Sequence, residues 1–387
     1  MFDIIIIGAG VSGIACALSI DKKYNTLLID SNDMIGKKLS ITGNGRCNIT
    51  NSNYGNEFYD NIYNHKFMYS AFSNFDNFSL MELMQKYGVE LKEEEYGRIF
   101  PTTNKAQTVI DALSKNLKHI QLNLNEEVLL IEENRDFEVI TKKNKYKTKK
   151  IVIATGGLSY PQTGSTGFGL KYAKKIGHKI TRLTACEAPL YTKDIICSSL
   201  QGVTLNNSAL KYKKKSYSGF NLLITHFGLS GPLAFRQCFS IINEGISEIK
   251  IDFISNIKYE YLKDQLYNNT SIKKVLKNYL PKSVVDFLLE YTKIENLDFK
   301  KNSIKKQEEL LTNIKNYPIK ITKYADVSKG FTTAGGISTN EIDNKTFESK
   351  LKPNLYFIGE VLDVHAHTGG YNISTFFSMG INCGINL

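Results

Sequence analysis
The sequence predicts an α/β fold in which the two ends of the chain build one discontinuous Rossmann-type domain. Two observations predict it. A glycine-rich turn joins two short apolar runs within residues 4–30, and the same glycine-rich style returns after residue 330. The sequence between them has a different character, so a nucleotide-binding style at both ends implies an insertion into one domain. At 387 residues the chain exceeds a single compact core, which agrees with two or three domains.

Taken in order, residues 4–7 form an apolar run short enough for a buried parallel strand. Gly8-Ala9-Gly10-Val11-Ser12-Gly13 follows, and residues 14–20 continue with helical spacing. Thr26–Ile29 is a second apolar run ending at Asp30. In this strand–helix–strand context Gly8 permits the tight turn, Gly10 lets the backbone approach a pyrophosphate, and Gly13 lets helix pack on strand. The helix start at Val11 and Ser12 offers N–H groups and positive dipole to phosphates, and Asp30 can accept hydrogen bonds from a ribose.

Residues 31–65 read as polar and irregular, 66–88 and 105–118 as helical, and about 120–155 as short strands divided by the charged turn 142–150. Residues 151–155 form another buried strand ending on Gly156-Gly157, and a helix over 166–177 is stopped by Gly177. Farther on, segments near 209–215, 220–225 and 248–254 suggest strands, and 257–315 suggests short lysine-rich amphipathic helices. Residues 354–358 read as a strand ending at Gly359-Glu360, and Tyr371 onward reads as a helix. The expected division is a nucleotide-binding domain of residues 1–187 and 331–387, a β-rich substrate domain of 188–256 with 316–330, and a small helical domain of 257–315.

Four elements favour FAD over NAD as the tightly held cofactor. The first is the fingerprint. The second is the segment 36–51, with Lys37, Lys38, Gly43, Asn44, Gly45, Arg46, Cys47 and Asn48, where close glycines with basic and amide side chains suit a loop around phosphates and a ring edge. The third is Ala154-Thr155-Gly156, a strand end that passes close to the cofactor in two-dinucleotide-binding flavoproteins. The fourth is Gly359-Glu360 with Gly369-Gly370-Tyr371-Asn372-Ile373 opening a helix. A carboxylate there can hold ribitol hydroxyls, and a helix N-terminus beside the flavin pyrimidine edge stabilises negative charge. Val128 joins the expected cofactor set. No second glycine fingerprint is present, so NAD(P)H is expected as a transient electron donor.

Composition narrows the class. No apolar stretch is long enough for a membrane helix, and the N-terminus reads as a strand rather than a signal peptide. Six cysteines without a Cys-x-x-Cys pair argue against a disulfide framework or metal site and lead to the expectation of a cytoplasmic protein. The net charge of +11 invites an anionic partner such as nucleic acid, although most of the excess is lysine in a chain also rich in Asn and Ile, the stronger reading being a compositionally biased genome.

With these motifs in view the chain resembles the BaiN/RdsA-type flavoprotein family over nearly its whole length. The carrying motifs are those at 8–13, 36–51, 154–169 (ATGGLSYPQTGSTGFG), 225–232 (THFGLSGP), 333–337 (TAGGI) and 359–372 (GEVLDVHAHTGGYN). The resemblance implies an FAD domain interrupted by β-rich and helical domains, and a C=C reductase. The favoured substrate is uridine in 23S ribosomal RNA, reduced to dihydrouridine, with ribosomal RNA or a precursor ribosome as partner. A small-molecule ene-reductase acting on a steroid or conjugated ketone, and a non-catalytic flavin-containing RNA-binding factor, stand beside it. Asp30 departs from the usual Glu, and the family's tryptophan-bearing helix is here Ile-Ser-Thr-Phe-Phe-Ser-Met-Gly.

The reaction needs a proton donor. Cys47, His365 and His367 are the candidates, each with a structural alternative: loop packing for the thiol, a surface loop for the histidines. Tyr160 and His226 are expected on the substrate side, with core packing and a structural role as alternatives. Lys211 and Lys213, in a basic stretch with Tyr212 and Tyr217, can hold RNA backbone or form a solvated strand edge.

Overall fold
A computed structural model describes residues 1–295 and 297–387. The chain divides into two compact units, Met1–Cys186 with Val327–Leu387, and Glu187–Asp326.

The first unit is built on a seven-stranded sheet. Its strands are β1 (Phe2–Ile7), β2 (Thr26–Ile29), β3 (Gln121–Asn123), β4 (Val128–Glu133), β5 (Phe137–Thr141), β6 (Lys145–Ile153) and β7 (Leu355–Phe357). β3, β2, β1, β6 and β7 lie side by side and parallel. The apolar runs explain this arrangement, because a parallel strand covered on both faces needs apolar residues at every position. β6 changes character along its length. Its first half alternates exposed lysines with inward residues and pairs antiparallel with β5, whereas Ile151, Val152 and Ile153 are fully buried and pair with β7. Ile7 lies opposite both Ile29 and Ile153, so three strands end level and their following loops open at one edge.

Helix α1 (Val11–Ser19) and the C-terminal helix α2 (Tyr371–Ile385) pack closely against each other. Glycines set the spacing. A Cβ on Gly380 would stand 2.3 Å from the Ser12 carbonyl oxygen, and one on Gly384 2.4 Å from that of Cys16. Ser19 Oγ donates across the contact to the Ile381 carbonyl at 3.1 Å. The last helix is thereby fastened beneath the first nucleotide-binding turn.

The second unit holds two four-stranded antiparallel sheets. One pairs strands 190–191, 228–230, 222–225 and 204–205; the other pairs 215–217, 209–212, 248–252 and 317–320. Helices Tyr259–Tyr267, Ile272–Leu276, Lys282–Tyr291 and Ile304–Asn316 belong to the same compact unit, as does Gly231–Asn243, which follows the THFGLSGP motif. Lys211 and Lys315 both pair with buried Asp252, at 2.8 and 2.9 Å, tying Ile304–Asn316 to the second sheet.

Candidate active site
The level strand ends of the first unit open a cleft enclosing about 1280 Å³ of space up to its mouth. The floor is the glycine turn. Gly8 takes φ +107, and a Cβ there would stand 2.4 Å from the Ala154 carbonyl oxygen; at Gly13 it would stand 1.9 Å from that of Gly8. Both glycines are demanded by packing. Gly10 is different: a Cβ there would meet nothing within 4 Å. Protein packing leaves the space above Gly10 open, at the start of α1, where unbonded N–H groups and the helix dipole favour an anion.

Asp30 closes one side. Its Oδ2 accepts from the Ala9 N–H at 2.6 Å, and its Oδ1 from the Asn32 N–H and side-chain amide at 2.7 and 2.8 Å. The shorter acid thus braces the turn that carries the fingerprint, and Asn32 carries the brace to the Thr163 carbonyl. Val128 lines the same end of the cleft, beside Glu126. Burial would raise the Glu126 carboxyl, but hydrogen bonds from Thr141, Tyr146, Asn144 and Asn123 hold it below the usual range.

The middle of the cleft carries a buried charge network. Lys38 Nζ lies 2.6 Å from Glu360 Oε2. Glu360 Oε1 accepts from Ser159 Oγ at 2.6 Å and from the Thr333 N–H at 2.9 Å. Thr333 Oγ1 accepts from the Leu158 and Ser159 amides at 2.8 and 3.1 Å, and Lys38 also bonds Ser159. Burial alone would raise the Glu360 carboxyl; Lys38 beside it and the hydrogen bonds from Ser159 and Thr333 hold it below the usual carboxylate range. Glu360 is therefore a fixed anion joined to a fixed cation on the cleft wall.

The far end is the start of α2. Asn372 and Ile373 line the cleft, and Gly370, at φ +100, lets the turn approach the Thr50 carbonyl, which a Cβ would meet at 2.2 Å. Asn372 clamps Ala366, accepting from its N–H at 2.8 Å and donating to its carbonyl at 2.7 Å. Around this helix start, Asn48 Oδ1, Thr50 Oγ1 and Ser374 Oγ are buried atoms with no hydrogen-bond partner among the described residues. None of the three residues lines the cleft itself. The open anion cradle and the anion–cation wall fit an extended dinucleotide.

The structure distributes the expected residues unevenly. Gly8, Gly10, Val11, Ser12 and Asp30 line the cleft, as do Lys37, Lys38, Val128, Ala154, Thr155 and Gly156, and Glu360, Asn372 and Ile373. Lys37 at the rim pairs with Asp33 at 2.9 Å. Gly13 and Gly359 instead allow close packing, Gly359 facing Ser12. Gly369 and Tyr371 meet each other and Asn51 beside the start of α2. Within 43–48 the correction is larger. Asn44 is exposed at φ 57, and Gly43 and Gly45 serve the turn as left-handed residues. The Arg46 guanidinium bonds Glu94 and Asn104 and lies 4.2 Å from the Phe100 ring centre, so local partners take up its charge.

Two expected proton donors are corrected by burial. Cys47 is fully buried, and burial pushes its thiol up to about 12. It packs the loop. His365 is 2% exposed and stacks on Tyr63 at 4.5 Å; burial, with His367 close by, pushes it down to about 3, so it stays neutral. His367 keeps partial exposure next to the clamped Ala366. In the second unit, Lys211 is consumed by Asp252 and by the Lys315 carbonyl, and exposed Lys213 pairs with Glu244 at 2.9 Å. His226 is exposed on the turn between strands 222–225 and 228–230, edge-on to Phe227 at 4.8 Å. Tyr160 stands near the cleft with its ring stacked on Phe331, which lines the cleft. Sequence reading assigned no role to Phe331, Ser159 or Thr333; the motifs at 154–169 and 333–337 covered Ser159 and Thr333 but not Phe331.

Comparison with known proteins agrees with this architecture. The family model described as HI0933-like protein Rossmann domain matches residues 2–386. The chain is 32% identical to the ribosomal RNA dihydrouridine synthase of Escherichia coli K12, over 100% of this chain and 98% of that one. It is 26% identical to the 3-dehydro-bile acid delta(4,6)-reductase of Clostridium scindens, over 98% and 97%. Among solved structures, the 3-ketosteroid-delta4-(5alpha)-dehydrogenase of Rhodococcus jostii RHA1 superposes with a TM-score of 0.51 at 11% identity, over 100% of this chain and 96% of that one, a likeness of fold.

Proposed function
The chain belongs to the HI0933-like Rossmann family of FAD-dependent oxidoreductases, and from that premise we propose that it reduces a uridine C=C bond in ribosomal RNA to give dihydrouridine. The observation that carries the substrate choice is the match to the Escherichia coli synthase, 32% identical over 100% of this chain and 98% of that one. The charge of +11 suits an RNA partner.

When bound, FAD would supply the hydride-transfer chemistry, with NAD(P)H as the proposed transient electron source. The protein does the rest. The start of α1 and the open space over Gly10 would hold the pyrophosphate. Glu360, kept anionic by Lys38, would hold ribitol hydroxyls. The start of α2 would stabilise negative charge at the flavin pyrimidine edge. Addition across C5=C6 requires hydride at one carbon and a proton at the other. Of the three expected donors His367 alone is not fully buried, and we assign the proton to it.

The test is mass-spectrometric comparison of ribosomal RNA with and without the gene. Loss of one dihydrouridine supports the proposal; an unchanged modification pattern refutes it. The bile-acid reductase relative motivates a second reading, reduction of a conjugated steroid enone. Turnover of such a substrate by the purified protein, with no effect of RNA, would favour it.

A further inference from the structure
We infer that Phe331 and Tyr160 form the platform on which the substrate base is stacked; this rests on the proposed RNA reading. Phe331 lines the cofactor cleft yet is 43% exposed, an unusual state for a phenylalanine on a cavity wall. The Tyr160 ring lies nearly parallel to it, at 21° and 6.3 Å between centres. Two adjacent near-parallel rings at a cleft mouth present the flat apolar surface that a planar base seeks, whatever its hydrogen-bonding edge.

The backbone is built to hold the ledge in place. Tyr160 takes φ 51 and ψ 60, the left-handed region, directly before Pro161. A bulky residue is disfavoured there, and a following proline restricts it further. Three hydrogen bonds hold it: its N–H donates to the Ser328 carbonyl at 3.3 Å, and its carbonyl accepts from Thr163 N–H and Oγ1 at 2.8 and 2.7 Å. Strain kept by surrounding structure at a cleft mouth points to a functional constraint. Ser159, next to Tyr160, and Thr333, two residues after Phe331, are both bonded to Glu360. The ledge is therefore anchored to the charged wall of the cleft rather than carried on a loose loop. Exposed Lys329 lies two residues from Phe331 and adds a positive charge to the segment that carries it.

A ledge of this kind selects a base splayed from single-stranded or opened RNA, since a base inside a helix has both faces covered. The experiment uses the FAD-loaded protein and a short single-stranded RNA carrying 5-iodouridine, photo-crosslinked and mapped by peptide mass spectrometry. Anisotropy of the same RNA, labelled with a fluorophore, is measured in parallel. Crosslinks to Tyr160 or Phe331 are expected. Phe331→Leu and Tyr160→Leu are each expected to weaken binding about 5- to 140-fold, the range for losing one aromatic stack. Tyr160→Phe keeps the ring and should restore both signals. Bound-flavin absorbance and circular dichroism report that each variant is folded. Crosslinks elsewhere, with variants that bind RNA as tightly as the parent, overturn the ledge while leaving the RNA reading standing. Variants that slow reduction by NADH and leave RNA binding intact also overturn it. An RNA that neither binds nor crosslinks refutes the RNA reading itself and the inference with it.

Discussion

Replacing Lys38 by methionine isolates the energetics of the cleft wall. Glu360 is 6% exposed and its only salt-bridge partner among the described residues is Lys38. Removing one member of a buried pair leaves an uncompensated charge at a cost of about 3–5 kcal/mol. Ser159 and the Thr333 N–H remain bonded to Glu360, which places the cost near the lower end, about 3 kcal/mol. At ~2–4 °C per kcal/mol for a unit of this size, Tm should fall by roughly 6–12 °C near neutral pH. The pH dependence has a definite sign. In the parent the folded Glu360 pKa lies below its unfolded value, so its contribution is present above that value and is lost as pH falls through the folded pKa. In Lys38→Met the strongest influence opposing burial is gone, only the hydrogen bonds from Ser159 and Thr333 counter it, and the folded pKa rises above its unfolded value. The variant then loses stability as pH climbs above the unfolded value of about 4.3. The gap between the two proteins should be widest near neutrality and narrow towards pH ~4. Lys38→Met/Glu360→Gln, which removes the charge, should recover most of the loss. Thermal unfolding of flavin-free protein by far-UV circular dichroism measures all three without a contribution from bound cofactor. A Lys38→Met protein as stable as the parent at pH 7, or a gap that is flat between pH 4 and 7, refutes the reasoning.

Three further outcomes are expected. Gly10→Ala should leave apo-protein Tm unchanged while weakening FAD binding at least tenfold in a fluorescence titration, because its Cβ enters open space over the cradle; Gly13→Ala should instead destabilise the apo-protein, its Cβ falling 1.9 Å from the Gly8 carbonyl oxygen. His367→Gln should lower turnover by ~10²–10⁴, whereas His365→Phe should leave the pH–rate profile between pH 5 and 8 unchanged, since burial already keeps His365 neutral there. Gly384→Ala should destabilise the first unit by about 1–3 kcal/mol in urea unfolding, because the new methyl meets the Cys16 carbonyl oxygen at 2.4 Å and forces α1 and α2 apart.

The residues that the amino-acid sequence identified unaided are those whose chemistry is local. Gly8 and Gly13 reveal themselves because a tight turn and a close helix–strand approach forbid a Cβ. The runs 4–7, Thr26–Ile29 and 151–153 reveal themselves because a strand buried on both faces can be nothing but apolar. The discontinuous domain was equally legible, since both glycine-rich segments answer to the same backbone demands. Burial and partnership are long-range properties, and there local reading failed. Cys47, Arg46, His365 and Lys211 have residue types suited to chemistry, yet the folded chain surrounds each with its own atoms: apolar packing for Cys47, Glu94 and Asn104 for Arg46, Tyr63 for His365, Asp252 for Lys211. Conversely Lys38, Ser159, Thr333 and Glu360 span more than three hundred positions of sequence, and Phe331 meets Tyr160 across a gap of 171. No periodicity or spacing encodes such meetings. They exist only because parallel strands bring distant loops to one edge of a sheet, where solvent is excluded and charges must find each other.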